Sequence, residues 1–341
     1  QEADPIDWTA VRAENQALEK ARRAAAPQPV EQVESETAGF SKKPLTGRLA
    51  HPQFELRVRE DGIYRVTFQD LETATGVALR GVPARSLALT NNGQAVPMRI
   101  LGGRIWKPGS YIEFLGKALD TLYTEENVYL LQVNRDRYSR MPAFGRVLGP
   151  DAKIAGHYME TAAFEQNNEY SYLAPSGDPW YDTLLFSKKP QSWSYTLDVD
   201  HYVSGAAQPT LTLELWGVND TEHHVTADLN GAQVANLLFS NQAVESAAAP
   251  VNNLQNGANS LKLTVLNDRG AEFDMSALEA YGLTYPRAFV ARDGRLTFTS
   301  AADAFTVSGL SGSNVLVYRD DRLGGPERLN LVNTQKVGDG Y

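Results

Sequence analysis

The sequence predicts an all-β chain: an antiparallel β-domain, then a jelly-roll sandwich, then a short third β-segment. Three observations carry this. From residue 52 onward, apolar and polar residues alternate in short runs, the period of a strand with one buried face. Turn pairs such as Asp61-Gly62, Asn92-Gly93, Asn230-Gly231 and Asn256-Gly257 separate those runs, and Asn-Gly accepts positive φ at little cost. Finally, 341 residues exceed one ordinary core, so two or three domains of roughly 100–150 residues are expected.

The first segment reads differently. Residues 7–26 are rich in Ala, Glu, Lys and Arg, with Asp7 placed to cap and Trp8, Val11 and Leu18 near helical spacing. Pro27 and Pro29 end this helix, and the polar stretch 28–47 reads as a linker or extended arm. Residues 1–47 are thus a helical leader and arm, either docking on a partner domain or hanging free. The dibasic pairs Arg22-Arg23 and Lys42-Lys43 are candidate processing sites.

Residues 48–155 form the first β-domain. Phe54, Leu56 and Val58 alternate, Asp61-Gly62 turns the chain, and Tyr64, Val66 and Phe68 alternate again, which predicts a hairpin. Leu87 and Leu89 run into Asn91-Asn92-Gly93, and Val96 to Ile100 returns as a second hairpin. Tyr111–Leu115 and Val128–Val133 read as further strands. Residues 161–287 hold about eight short strands, the number of a jelly roll. Leu211, Leu213 and Leu215 share a face, with Trp216 opposite. Leu296–Thr299, Phe305–Val307 and Val315–Tyr318 then read as the start of a third small domain within 288–341.

Composition excludes several functions. The chain has no Cys, so it holds no disulfide, no thiolate metal site and no cysteine nucleophile. A net charge of −9 argues against nucleic acid and anionic membranes, which call for a basic stripe. No run approaches the roughly 20 apolar residues of a membrane span. Gln1 in place of an initiating Met is what a cleaved export signal or trimming leaves, so a mature exported protein is expected. There is no Gly-Xaa-Ser-Xaa-Gly elbow, and the Gly-Xaa-Gly at Gly338–Gly340 has no following helix, so hydrolase and nucleotide-binding readings gain no support. His223-His224 with Glu222 and Asp228 suggests a metal site by composition, but neighbours on a strand point to opposite faces and the rings diverge. His224 therefore reads as a packed or hydrogen-bonded strand residue.

The order of motifs carries a resemblance. Asp61-Gly62-Ile63-Tyr64-Arg65-Val66, Asn92-Gly93 to Val96-Pro97, Pro108-Gly109-Ser110-Tyr111-Ile112-Glu113-Phe114, Tyr123-Thr124 and Asn127-Val128-Tyr129-Leu130 resemble the region before the catalytic domain of secreted gingipain-like cysteine peptidases. His224 to Leu229-Asn230-Gly231, Leu254 with Asn256-Gly257-Ala258-Asn259, Asp274, Tyr285-Pro286-Arg287, and Arg295-Leu296-Thr297-Phe298 leading to Val307-Ser308-Gly309 resemble the same family's accessory module. The resemblance covers about residues 52–330. It implies a caspase-like domain C-terminal to such modules, using a thiolate with an imidazole partner. Without Cys that chemistry is impossible in this chain, so no catalytic residue is carried over. A non-catalytic accessory or pro-region remains, with its own C-terminal peptidase domain as partner and a secreted or bacterial cell-surface location.

The galactose-binding type of jelly roll also implies a structural calcium ion on oxygen ligands, for which Asp198, Asp200 and Asp268 are the candidates. No other cofactor is expected. An alternative is a carbohydrate-binding or adhesion module, with Trp180, Tyr181, Trp193, Tyr195 and Trp216 as the aromatic residues that would stack on sugar rings. A sandwich also needs aromatic core, which competes for the same residues. A third reading is a purely structural spacer covering the peptidase domain.

Overall fold

In the computed structural model the described residues are 53–329, apart from 77–78, 120, 122, 145–152, 176–177, 303 and 322–324. The leader helix, the arm and both dibasic pairs expected within 1–47 lie outside them. The described part is nearly all antiparallel β-structure and divides into two compact units near residue 148, with residues 314–329 belonging to the first.

The first unit begins with β1 (Phe54–Val58), β2 (Gly62–Thr67), α1 (Phe68–Thr75), β3 (Leu87–Asn91), β4 (Gln94–Val96), β5 (Met98–Leu101), β6 (Tyr111–Gly116), β7 (Asn127–Val133) and β8 (Ala143–Phe144). One sheet has the order β1-β7-β3-β4 and a second the order β2-β6-β5. The hairpin expected across Asp61-Gly62 is therefore not formed: β1 pairs with β7 and β2 with β6, and the turn carries the chain from one sheet to the other. Asn92-Gly93 does close a hairpin, with φ of 47° and 77° and Asn91 opposite Gln94, the positive pair that a two-residue turn needs.

Phe68 starts a helix instead of ending a strand. Thr67 Oγ1 accepts from the Asp70 amide, the Asp70 carboxylate accepts from the Thr67 amide, and Gly76 closes the helix at φ 69°. The helix buries Phe68 and Leu71 in a core that includes Trp106, Phe114 and Leu131.

The second unit contains β9 (Ile154–Ala155), β10 (Tyr158–Glu165), β11 (Glu169–Tyr170), β12 (Trp180–Tyr181), β13 (Thr183–Ser187), β14 (Gln191–Val199), β15 (Thr210–Gly217), β16 (Glu222–Leu229), β17 (Ala232–Ser240), β18 (Val244–Pro250), β19 (Gly257–Val265), β20 (Asp274–Arg287) and β21 (Ala304–Phe305). β10, β20, β15 and β18 form a sheet that β13 extends by pairing with β20, and β14-β19-β16-β17 form the other. Their inward faces make one apolar core. Leu211, Leu213 and Leu215 meet Val225, Ala227, Leu229, Leu261, Leu263 and Val265 there, each buried Leu contributing roughly 1.5–3 kcal/mol. Trp216 faces the other way, against Tyr181 and Ala277, as the alternation requires. Asn230-Gly231, at φ 49° and 81°, closes the β16–β17 hairpin.

The segment expected to open a third domain is shared between the units. β21 pairs with β9 in the second, whereas β22 (Val317–Asp321) and β23 (Gly325–Leu329) pair together and with β8 in the first. Leu296–Thr299, expected as a strand, is not one. The chain turns at Asp293-Gly294, where Arg292 and Arg295 bridge, and Phe298 packs against Tyr158, Phe289 and Phe305.

Candidate functional site

β20 is the organising strand of the second unit. Its first part, to Leu278, pairs with β13, and its second part, from Ala280, pairs with β10. Against β15 it carries one extra residue: Glu214 lies opposite Ala280 and Leu215 opposite Leu278, so Glu279 is a bulge. The bulge resets the alternation. Leu278 points into the main core and so do Tyr281, Leu283 and Tyr285, which leaves Glu279 and Ala280 in succession on the outer side.

Glu279 is only 8% exposed, beneath the segment that joins β10 to β13. Trp216 Nε1 donates to Glu279 Oε2 at 3.1 Å. Carboxylate oxygens of Glu165, Asp178 and Glu279 lie within 4.8 Å of one another. Burial, then the charges of Asp178, Glu165 and Glu214, push the Glu279 carboxyl up to about 7, against the Trp216 bond. The segment itself is held by Asn168 donating to Asp182 Oδ1 at 2.8 Å, by the Tyr181 hydroxyl donating to Glu169 at 3.0 Å, and by Tyr181 edge-on to Trp216 at 5.4 Å. Tyr170 and Trp180 meet edge-to-face at 5.2 Å, and Tyr170, Tyr172 and Leu173 are exposed.

The five aromatic residues proposed for sugar stacking do not form one surface. Tyr181 and Trp216 are buried on the outer side of the larger sheet, so their ring faces are closed to a ligand. Trp193 and Tyr195 lie on β14 with their rings turned to the main core, Tyr195 5.2 Å from Tyr281. Trp180 keeps part of its surface in the connecting segment.

The two histidines diverge as their strand requires. His223 is fully buried: Asp274 Oδ1 lies 2.6 Å from Nδ1, and the carbonyls of Asn219 and Asn241 lie 3.2 Å from Nε2. His224 faces outward between Asp268, 2.8 Å from Nδ1, and Asn236, 2.7 Å from Nε2. Both are hydrogen-bonded strand residues in this arrangement.

Asp198, Asp200 and Asp268 do not fit a calcium site. Among the described residues they form no converging group. Arg287 binds Asp200 through two nitrogens at 2.9 and 3.0 Å, and Arg292 binds it as well. These guanidinium bonds, Arg292 first, hold Asp200 far below the usual carboxylate range. Asp268 is committed to His224, and Asp198 stands exposed on β14.

The cluster at Glu279 was not legible beforehand, because its members are far apart in sequence. One signal was available: a Glu inside the apolar run Ala277-Leu278-Glu279-Ala280-Tyr281. No helix among the described residues is long and apolar enough to cross a membrane.

No protein-family model matches the chain, and no curated protein matches it. Among solved structures, dimeric latent PorU from Porphyromonas gingivalis superposes with a TM-score of 0.58 and 13% identity, over 84% of this chain and 30% of that one. The chain shares its fold with a stretch of latent PorU. Two carbohydrate-binding modules also match part of the chain. The CBM36 module in complex with calcium and xylotriose gives a TM-score of 0.25 at 14% identity, over 39% of this chain and 93% of that one. The CBM36-1 domain of a xylanase from the hindgut metagenome of Trinervitermes trinervoides gives 0.26 at 16%, over 37% and 96%. Of these three scores, the one against PorU establishes a common fold.

Proposed function

We propose that this chain is a non-catalytic accessory or pro-region of an exported gingipain-like cysteine peptidase, serving folding, latency, targeting or surface binding. One observation carries the reading: the likeness to latent PorU extends over 84% of this chain. The matched stretch is 30% of PorU. The motif order from Asp61 to Gly309 resembles the same family, and the missing Cys removes the nucleophile that such chemistry needs. The partner in this reading is the chain's own peptidase domain, with a secreted or bacterial cell-surface location. The test is to read the gene downstream of Tyr341 and, where a caspase-like domain with a His and Cys pair follows, to measure its activity with this chain added in trans. Inhibition or recovery of folding supports the proposal. A downstream sequence with no such domain overturns it.

A second reading is a glycan-binding module. It is supported by the exposed Tyr170, Tyr172 and Leu173 beside Trp180, since exposed ring faces stack on sugars. A glycan array probed with the isolated chain, with and without a calcium chelator, tests it. Retention that survives Tyr170→Ala and Tyr172→Ala would rule out this surface.

A further inference from the structure

We propose that Asn92 is a site of spontaneous covalent modification: of the chain's three Asn-Gly pairs, the fold leaves this one free to deamidate and holds Asn230 and Asn256 against it. The proposal is independent of what the chain binds. In each pair the glycine nitrogen attacks the asparagine Cγ, and glycine has no side chain to hinder the approach. A C–N bond forms at Cγ, Nδ2 leaves as ammonia, and a succinimide ring remains. Water then opens one of the two carbonyl–nitrogen bonds of the ring, giving aspartate or isoaspartate, in which the backbone runs through the former side chain. One water is consumed, one ammonia is released and one negative charge is gained, so no oxidant or reductant takes part. Since the reacting atoms sit in adjacent residues, the rate is set by how freely Cγ can swing onto the nitrogen.

That freedom differs among the three pairs. Asn92 and Gly93 are both exposed, and the Asn92 amide makes one contact among the described residues, donating to Asn91 Oδ1 at a limiting 3.5 Å. The Gly93 N–H donates to no backbone carbonyl among them. The Arg137 guanidinium binds the Gly93 carbonyl and leaves the nitrogen open, and a cation at that position favours the amide anion that attacks. Asn230 closes its hairpin with nearly the same φ, 49° against 47°, so backbone conformation does not separate the two. The side chain does. Asn230 Nδ2 donates to the Asn253 carbonyl at 3.0 Å and to Asn259 Oδ1 at 2.8 Å, while Oδ1 accepts from the Ser260 amide at 2.9 Å. All of these bonds must break before Cγ can turn. Asn256 Oδ1 accepts from the Tyr202 amide at 2.8 Å, and Gly257 is already paired opposite Val199 at the start of β19. Ring closure there breaks the bond and pulls on the strand end.

Each hydrogen bond that must open first slows the reaction by about 2- to 10-fold. Asn256 is therefore expected to react about 2- to 10-fold more slowly than Asn92, and Asn230 at least about tenfold more slowly. The product matters to the fold. Isoaspartate lengthens the backbone of a turn whose φ pair, 47° and 77°, sets Asn91 opposite Gln94. β4 is the edge strand of its sheet, so it loses register while the strands behind it stay paired. Val96, which pairs opposite Leu89 and packs on the first core, is the apolar residue this loosens.

The experiment is incubation of the full chain in water enriched in oxygen-18 at mildly alkaline pH, with peptide mapping to time the heavy-oxygen uptake at each pair. In the folded chain Asn92 is expected to lead by the factors above. The same incubation in concentrated guanidinium chloride is expected to bring the three rates together, because it opens every bond that separates them. Asn230 or Asn256 reacting as fast as Asn92 in the folded chain overturns the proposal, and so does a lead for Asn92 that persists unchanged in the denaturant. The modified fraction, separated from the rest by its extra negative charge, is then read by amide hydrogen exchange. Loss of protection in β4 with β7 unchanged supports the assigned effect on the hairpin, and equal protection of β4 in modified and unmodified chains overturns it.

Discussion

Replacing Asp200 by Ala tests how the C-terminal end of β20 is held. Arg287 is 0% exposed and its guanidinium binds Asp200 twice, the Tyr158 hydroxyl at 2.5 Å and the Val290 carbonyl at 3.0 Å. Among the described residues Asp200 is the one acidic partner of that buried cation, and at 38% exposure it is partly screened by water, so little of the effect comes from the carboxylate's own burial. Removing it strands a buried charge, which costs about 3–5 kcal/mol. The reverse change, Arg287→Met, leaves a carboxylate that water and Arg292 still serve, and is expected to cost only about 1–2 kcal/mol. The assay is hydrogen exchange of the slowest β20 amides, which reports this unit alone, backed by urea melts of both variants. Equal costs, or a larger cost for Arg287→Met, would refute the reasoning. The pH dependence has a definite sign: the depressed Asp200 carboxyl stabilises above the ordinary aspartate range, and the contribution is lost as pH falls below it.

Gly217→Ala is expected to destabilise by about 3 kcal/mol, because the new Cβ would lie 1.9 Å from the Asn241 carbonyl and 2.4 Å from His223 Nε2; a thermal midpoint within a degree of wild type contradicts this. Tyr318→Phe removes the hydroxyl that donates to the buried Glu113 at 2.7 Å, for a loss of about 1.5–3 kcal/mol in urea unfolding of the first unit. Burial works to raise the Glu113 carboxyl, but bonds from Tyr318, Arg65 and Arg99 outweigh it and leave it lowered. The variant's deficit should accordingly shrink as pH falls below the ordinary glutamate range, and a deficit that grows there counts against this account. Asn230→Ala forces alanine to φ 49° and deletes the amide bonds to Asn253 and Asn259, so it should cost about 2 kcal/mol, whereas Asn230→Gly should recover the backbone part; indistinguishable melting of the two would remove the φ argument.

What the sequence alone determined was local. Alternation along β15, β16 and β19 set which residues face the core, and Asn92-Gly93 and Asn230-Gly231 set two hairpins, because side-chain period and turn φ depend only on neighbouring residues. The opposite orientations of His223 and His224 follow from the same rule. Tertiary structure decided what depends on distant partners. Asp61-Gly62 looks like a hairpin turn, yet β1 and β2 find β7 and β6 across the chain, since a turn pair fixes a bend and not the strand that pairs beyond it. Trp216 and Tyr181 read as sugar-stacking residues until the segment before β13 covers them. Glu279 became part of a cluster only because β20 changes partner from β13 to β10 at that residue and takes up the mismatch as a bulge, a shift in register that no stretch of contiguous sequence encodes.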